Sequence, residues 1–153
     1  MDDCLMLGGK IRDECLYGVA TKIGDIQVCA WIETEDDRDR CLADMAIREK
    51  DAGACTTIGD HVQRDRCRVA IGKRLNSTSF CGMVENRGRR DKCMAFVAQT
   101  VGDANVCDMI IDRGDRDDCL YELARDLGDW ELCGRIREGR LSERCDSKAR
   151  KNV

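Results

Sequence analysis

The amino-acid sequence predicts an all-α fold, an α-solenoid of six stacked helical hairpins, each closed by one internal disulfide. Three observations lead to this prediction. The twelve cysteines of the 153-residue chain are separated, from Cys15 onward, by gaps that alternate between 14 and 12 residues, so the chain repeats every 26 residues. Apolar residues around the cysteines follow the period of a helix rather than the alternation of a strand. Proline is absent, which suits short uninterrupted helices.

Two pairings of the cysteines agree with this repeat, one across each kind of gap. The midpoints of the 14-residue gaps, such as Lys22 and Thr100, lie inside apolar-periodic segments, and this pairing leaves Cys4 and Cys145 without partners. The midpoints of the 12-residue gaps fall on turn-forming residues, and we expect their glycines to adopt a positive φ. These midpoints are Gly8-Gly9, Asp36-Asp37, Gly59-Asp60, Arg87-Gly88, Arg113-Gly114 and Glu138-Gly139. The predicted disulfides are therefore Cys4–Cys15, Cys29–Cys41, Cys55–Cys67, Cys81–Cys93, Cys107–Cys119 and Cys133–Cys145.

The hairpins are expected at 2–22, 25–48, 51–74, 77–100, 103–126 and 129–151, in a single domain over residues 1–153. Each contains two helices of about ten residues, too short to persist alone in water, so disulfides and stacking must stabilise them. N-cap residues open the first helix of hairpins 2 to 6, at Asp25, Asp51, Ser77, Asp103 and Asp129. The residues before them mostly tolerate the left-handed conformation that ends a helix, namely Gly24, Lys50, Asn76, Gly102 and Gly128.

The apolar positions of the repeat predict its core. In the first helix they lie one residue before and three after the cysteine, and in the second helix one, four, five and eight after it, as in Leu120, Leu123, Ala124 and Leu127. The last helix carries Asp146, Ala149 and Arg150 instead, which is the polar outer face of a terminal cap. In the first hairpin Leu5, Met6 and Leu7 show no such polar substitution.

An Arg-Asp pair precedes the second cysteine of each of the first five hairpins, at 12–13, 38–39, 64–65, 90–91 and 116–117; Ser142-Glu143 replaces it in the sixth. One interpretation is a charged strip that binds a partner. The other is architectural: the aspartate favours the start of the second helix, and the arginine pairs with a neighbouring carboxylate or carbonyl. We favour the architectural interpretation, because it explains why the pair recurs in every interior hairpin.

Two residues after the first cysteine stand Met6, Trp31, Thr57, Met83, Met109 and Arg135. Such a stripe is a candidate recognition surface, although packing between hairpins is the more frequent reason for it. Tyr17 and Tyr121 occupy equivalent positions in the second helices, and mark wider gaps between hairpins or an exposed surface. We therefore take Met6, Trp31, Met83, Met109, Tyr17 and Tyr121 as candidate binding residues. Asn76 begins a formal N-glycosylation sequon and is a candidate glycosylation site, but we favour the interpretation of these residues as a helix C-cap followed by an N-cap.

Composition argues against several classes of function. The 26 basic and 30 acidic residues are interspersed with a net charge of −4, which indicates a solvated surface rather than a nucleic-acid footprint. The single histidine, His61, and the lack of any CxxC leave ordinary zinc spacing missing, and Gly72-Lys73-Arg74 lacks the upstream glycine of a P-loop. We expect no catalytic or metal site, no cofactor and no membrane span. Twelve cysteines favour an oxidising compartment, extracellular or at the cell surface, although the sequence opens without a secretory leader.

The repeat is clearest from Arg116 to Ile136, as Arg-Asp-x-Cys-Leu-Tyr-x-Leu-Ala followed by Gly-Asp-x-x-Leu-Cys-x-x-Ile. It resembles short helical cysteine repeats of secreted or lipid-anchored proteins of archaea and some bacteria, over nearly the whole chain. This resemblance implies an extracytoplasmic α-solenoid without catalytic residues. The architecture is also similar to disulfide-stapled Sel1-type repeats, which are longer and space their cysteines differently. Mitochondrial twin-cysteine hairpins carry two disulfides each, whereas one is expected here.

Three functions follow as hypotheses. The first is a non-enzymatic extracellular scaffold or binding module for a protein or glycan, because a solenoid without a catalytic constellation typically presents a binding surface. The second is a structural subunit that assembles head-to-tail with copies of itself into a filament. The third is a thiol-redox or metal-binding protein; its cysteines, however, lie on the apolar stripe, whereas reactive pairs are usually close in sequence and partly exposed.

Overall fold

A computed structural model describes residues 2–51 and 53–151, and this part of the chain is helical with no β-strand. Each hairpin consists of a short helix and a long helix. The short helices of hairpins 1 to 6 are Asp2–Leu5, Ile26–Trp31, Ala54–Thr57, Thr78–Gly82, Ala104–Cys107 and Trp130–Arg135. The long helices are Gly9–Ile23, Glu35–Glu49, His61–Leu75, Arg87–Val101, Arg113–Leu127 and Gly139–Ala149. The fold is all-α and built of repeated helical hairpins, as the sequence predicts.

The predicted helix lengths are wrong. The short helices have four to six residues, three of them in 3₁₀ form, whereas five of the long helices have fifteen residues and the last has eleven. The chain leaves the short helix already at the apolar residue three after the cysteine, and Ile32 and Ile136 are extended there. The reversal therefore precedes the midpoint of the 12-residue gap.

The same shift corrects the prediction for the turn glycines. Gly9 is the only glycine of the predicted midpoints whose φ is positive among the described residues. Gly88 and Gly114 lie inside the first turn of their long helices, where a glycine is not required. The extended residues Asn86 and Asp112 make these reversals instead, and their side chains accept hydrogen bonds from the N–H groups of Arg89 and Asp115.

The junctions between hairpins agree with the prediction. All five predicted helix-ending residues adopt the left-handed conformation, with φ of 76° at Gly24, 58° at Lys50, 51° at Asn76, 71° at Gly102 and 67° at Gly128. The N-cap aspartates that follow four of these residues accept a hydrogen bond from the N–H two residues further on, whereas Ser77 makes no such bond. Each long helix therefore stops, and the next short helix starts, without a linker.

All six disulfides join the short helix to the long helix of one hairpin, with Cα–Cα distances of 5.5–5.8 Å. The pairs are those across the 12-residue gaps, together with Cys4–Cys15. Every cysteine except Cys15 is buried, so cystine forms part of the core. These buried disulfides fit an oxidising setting.

Hairpins 1 to 3 form one compact unit and hairpins 4 to 6 form another, with the division between Leu75 and Asn76. The core of each unit contains the predicted apolar positions, and Leu16, Ile32, Met45 and Ile58 in the first unit are almost fully buried. Phe80 is only partly buried.

The position eight residues after the second cysteine is an exception to the predicted core. Ile23, Val101 and Leu127 are roughly half exposed there. They lie in the last turn of a long helix of fifteen residues, which is much longer than the short helix of the same hairpin. The last long helix buries only Cys145 and exposes Asp146 and Arg150, as a polar cap predicts.

The aspartates of the Arg-Asp pairs hold consecutive hairpins together within each unit. All five are only 1–2% exposed. Asp91 accepts hydrogen bonds from the N–H groups of Ile111 and Asp112 at 3.2 and 3.0 Å, in the turn of the following hairpin. Asp117 does the same with Arg137 and Glu138 at 3.0 and 2.8 Å.

The first unit contains the same arrangement. Asp13 accepts hydrogen bonds from the N–H groups of Glu33 and Thr34 and from the Thr34 hydroxyl. Asp39 accepts from the N–H of Asp60 at 2.8 Å. Because the carboxylates are buried, the charged-strip interpretation is wrong for them. The architectural interpretation is right, but the partner of each carboxylate is the next hairpin's turn rather than its own helix start.

We predict that Asp117→Asn lowers the free energy of unfolding by about 1–3 kcal/mol, because the amide loses the ion pair with Arg116: if its oxygen keeps the N–H groups of Arg137 and Glu138, its NH2 donor faces the guanidinium. Urea denaturation measures the change. Asp118→Asn is the matched control, since Asp118 is the next residue and is exposed, and it should change stability by less than about 0.5 kcal/mol. Equal effects of the two substitutions would contradict the role of Asp117.

We also predict that acid destabilises the first unit in a defined range of pH. The hydrogen bond from the Thr34 hydroxyl, with smaller contributions from the backbone N–H groups and Arg12, outweighs burial and lowers the pKa of Asp13 from 3.8 to about 2. A lowered pKa means that the stabilisation is complete above about pH 4 and is lost as the pH falls toward 2. Urea midpoints at pH 7, 4, 3 and 2 measure this loss. In Asp13→Asn the decline below pH 4 should be smaller, and an unchanged decline would contradict the assignment.

Candidate binding groove

The stripe predicted two residues after the first cysteine lies on the outside of the short helices. Trp31, Met83 and Met109 are roughly half exposed and Met6 is 88% exposed, so packing between hairpins covers only part of the first three side chains. Thr57 is exposed as well, whereas Arg135 is half-buried. The stripe is therefore a surface feature, and two of its positions, Thr57 and Arg135, differ in chemistry from the rest.

The two tyrosines instead connect the long helices of consecutive hairpins. The Arg40 guanidinium lies 4.9 Å from the centre of the Tyr17 ring, and the Tyr17 hydroxyl donates a hydrogen bond to Asp44, which raises the pKa of the phenol. Arg144 lies 4.8 Å from the centre of the Tyr121 ring, which is buried. Cation–π contact between hairpins accounts for both tyrosines.

The sequon asparagine, Asn76, is exposed and has the left-handed φ of a helix end. The C-cap interpretation therefore accounts for its place in the sequence, and its glycosylation stays a prediction.

A groove of about 500 Å³ opens between the short helices of hairpins 2 and 3. We call it the short-helix groove. One wall is formed by the short helix of hairpin 2, the other by the short helix of hairpin 3, and the floor by the long helix of hairpin 2. The residues that line it are Ile26, Gln27, Ala30, Arg38, Leu42, Asp51, Gly53, Ala54 and Thr57. Its volume is typical of ligand sites, and most of these residues are apolar or small.

The corresponding place in hairpins 5 and 6, three repeats later, is smaller, about 320 Å³, and is lined mainly by charged residues. Arg135 reaches across it and donates hydrogen bonds to the carboxylate of Asp108 and to the carbonyl oxygen of Ala104. In hairpins 2 and 3 the positions of Arg135 and Asp108 are occupied by Thr57 and Ala30. No such bridge forms with these short side chains, so the short-helix groove stays open.

Two charged side chains line the groove, Arg38, which is half-buried, and Asp51, which is exposed. Among the described residues, the only hydrogen bond of the Arg38 side chain is a long one, 3.4 Å, to the carbonyl oxygen of Ile32. The equivalent Arg116 instead donates two hydrogen bonds to Asp117, at 3.2 and 2.6 Å. The short-helix groove therefore combines apolar walls with a guanidinium that no described carboxylate neutralises.

A second cavity, of about 250 Å³, lies between the long helices of hairpins 1 and 2. Lys10, Glu14, Asp37 and Arg40 line it together with Asp13 and Tyr17. This lining is almost entirely charged, and Asp13 and Tyr17 are already bonded to neighbouring residues. The cavity is smaller than the short-helix groove, and two of its lining side chains already have partners.

The described residues contain neither a free thiol nor a group arranged to bind a metal ion. All twelve cysteines are in disulfides, and no group of three or more His, Cys, Asp or Glu side chains within residues 2–51 and 53–151 is arranged to hold a metal ion. In the same part of the chain, no helix has the length and apolarity needed to cross a bilayer.

Sequence reasoning found the stripe and missed the groove behind it. Thr57 was visible as a short residue among Trp and Met, and Arg135 as a charged one. Thr57 leaves its groove open, and Arg135 bridges the equivalent groove three repeats later. Each groove is built from three helices, and the repeat pattern does not show how these pack together.

Comparisons with known proteins identify no relative. No family model matches the chain, and neither a curated protein nor a solved structure matches it. The functional conclusion therefore depends on the chain's own geometry.

Proposed function

We propose that this chain is a non-enzymatic scaffold or binding module of an extracellular or cell-surface compartment, and that the short-helix groove is its binding site. The observation that carries the proposal is the open groove between hairpins 2 and 3. At the equivalent place between hairpins 5 and 6, Arg135 bridges to Asp108 and Ala104. The scaffold itself is explained by the disulfides and buried aspartates, which account for the residues that recur in the repeat. The departure at Thr57 and Ala30 needs another explanation, and ligand binding supplies one.

The surroundings of the groove support a binding role. Trp31 follows Ala30 on the wall formed by the short helix of hairpin 2, and it is roughly half exposed. Exposed tryptophan is enriched at the centres of protein interfaces, because its large ring buries much apolar area on binding. The resemblance to secreted archaeal and bacterial cysteine repeats, and the buried disulfides, agree with an oxidising compartment outside the cytoplasm.

The proposal predicts that filling the groove abolishes ligand binding and preserves the fold. Ala30→Asp combined with Thr57→Arg transplants the bridge of hairpins 5 and 6 into hairpins 2 and 3. Both sites are exposed, so the double variant should unfold within about 0.5 kcal/mol of the wild type. Wild type and double variant are compared on a random-peptide display library and on a glycan array. We expect at least one ligand that binds the wild type and not the double variant.

Two results would contradict the proposal. One is a complete lack of ligands that distinguish the wild type from the filled variant. The other is turnover of a substrate by the purified protein at a rate that the filled variant retains.

Self-assembly is the second candidate, favoured by the first hairpin. Leu5, Met6, Leu7 and Ile11 are all exposed there, which is a concentration of apolar side chains for one short segment. If copies associate through this surface, sedimentation velocity at rising concentration should show oligomers that Ile11→Asp together with Met6→Ser removes. A strict monomer up to millimolar concentration would contradict it. The thiol-redox and metal-binding alternative gains no support from the described residues.

A further inference from the structure

We infer that the ligand of the short-helix groove is an extended segment of a partner protein in which a carboxylate stands next to an apolar side chain, and that Arg38 binds the carboxylate. This inference rests on the proposed function and adds the chemistry of the ligand. It starts from Arg38, whose described side-chain hydrogen bond goes to a carbonyl oxygen and not to a carboxylate. Arg64 also donates to carbonyl oxygens, those of Ile58 and Gly59, whereas Arg12 pairs with Glu33 and Asp13, and Arg116 pairs with Asp117.

Asp39 forms no described ion pair with Arg38. It lies next to Arg38 in the chain and is 1% exposed, yet it bonds only the N–H of Asp60 through Oδ2, and its Oδ1 is buried without a hydrogen-bond partner. Asp117, the equivalent residue, uses its own Oδ1 to bind Arg116. The Arg38 guanidinium therefore lines the groove instead of closing the Arg-Asp pair. A partly buried guanidinium with unused donors binds carboxylates in a two-pronged geometry.

The apolar part of the ligand is defined by the walls and the floor. Ile26, Leu42 and Ala54 line the same groove as Arg38, and Leu42 and Ala54 are buried. An aliphatic or aromatic side chain placed against them would lose its contact with water, which is favourable by about 25 cal/mol per Å². The carboxylate and the apolar group must be close together, because one groove contains both partners.

The remaining polar groups favour a peptide over a polyanion or a lipid. Gln27 and Thr57 stand on opposite walls and are exposed. The Gln27 amide can accept from and donate to the backbone of an extended segment, and the Thr57 hydroxyl, which donates to the carbonyl oxygen of Ala54, can accept from it. Asp51 also lines the groove and is exposed, and its charge repels a second anionic group, so nucleic acids and polyanionic glycans are disfavoured. A lipid tail would offer the Gln27 amide no hydrogen-bond partner.

The test is a double-mutant cycle on peptides selected from a random heptapeptide library. The library is selected on the wild-type chain and depleted on the Ala30→Asp/Thr57→Arg variant, so that only groove-dependent peptides remain. We expect these peptides to share an Asp or Glu adjacent to Leu, Ile, Met or Phe. Replacing that acid by its amide should weaken binding about tenfold or more in titration calorimetry, the size of a lost charge-assisted hydrogen bond.

Arg38→Gln should weaken binding of the acidic peptide by a similar factor. This variant should bind the acidic and amide peptides with equal affinity. Arg38→Lys should keep part of the preference for the acid. Arg116→Gln is the matched control, because it changes the equivalent arginine in the other unit and should leave the affinity unchanged. Thermal denaturation checks the fold of each variant, and the acid-to-amide comparison on the wild type needs no variant.

The possible outcomes distinguish failure of the ligand inference from failure of the proposed function. Groove-dependent peptides that bind without an acid, or an acid preference that survives Arg38→Gln, would overturn the inference and leave the proposed function intact. Groove-dependent binding on the glycan array alone would also overturn the inference and retain a glycan-binding function. If neither library yields a ligand that the filled variant loses, the inference and the proposed function are both overturned.

Discussion

The structure depends on a buried carboxylate that accepts hydrogen bonds from the turn of the next hairpin. Each reversal from short to long helix leaves backbone N–H groups without helical partners, and burying such donors unpaired costs free energy. Asp91 and Asp117 each accept two of them, and Asp13 accepts two together with the Thr34 hydroxyl. The disulfide joins the two helices within a hairpin, and the aspartate joins one hairpin to the next. Because both groups are spaced by the same period, the repeat can be extended without new contacts.

The proposed site lies where this arrangement is incomplete. Between hairpins 2 and 3 the aspartate makes one hydrogen bond instead of two, Arg38 does not close the pair with Asp39, and no long side chain bridges the short helices. Between hairpins 5 and 6 all three features are present. The structural role of the repeat is therefore reduced at this junction, where the short-helix groove opens and Arg38 forms no described ion pair. A departure from the repeat can carry function because the neighbouring disulfides keep the hairpins folded.

Much of the fold could be predicted from the sequence. The cysteine spacing predicted the six disulfides, and the residues at the junctions predicted the left-handed helix ends and four N-caps, since a glycine, asparagine or aspartate carries its preference with it. The helix lengths were wrong because an apolar residue three after the cysteine is compatible with a helix or with an extended residue packed on the next helix. Ile32 and Ile136 are of the second kind. Trp31 and Met109 in the stripe are roughly half exposed, and periodicity alone does not predict how much of such a side chain is covered.

By itself, the sequence determined the repeat, the pairing of the cysteines, the helical class and the places where one hairpin ends and the next begins. These depend on local backbone preferences and on covalent spacing, both of which act over a few residues. Only the tertiary structure decided that the motif aspartates are buried, that their partners lie 20 and 21 residues further along the chain, and that a groove opens beside Arg38. The reason is that burial and hydrogen bonding at these positions are properties of two or three helices packed together, and a single segment of the chain contains none of them.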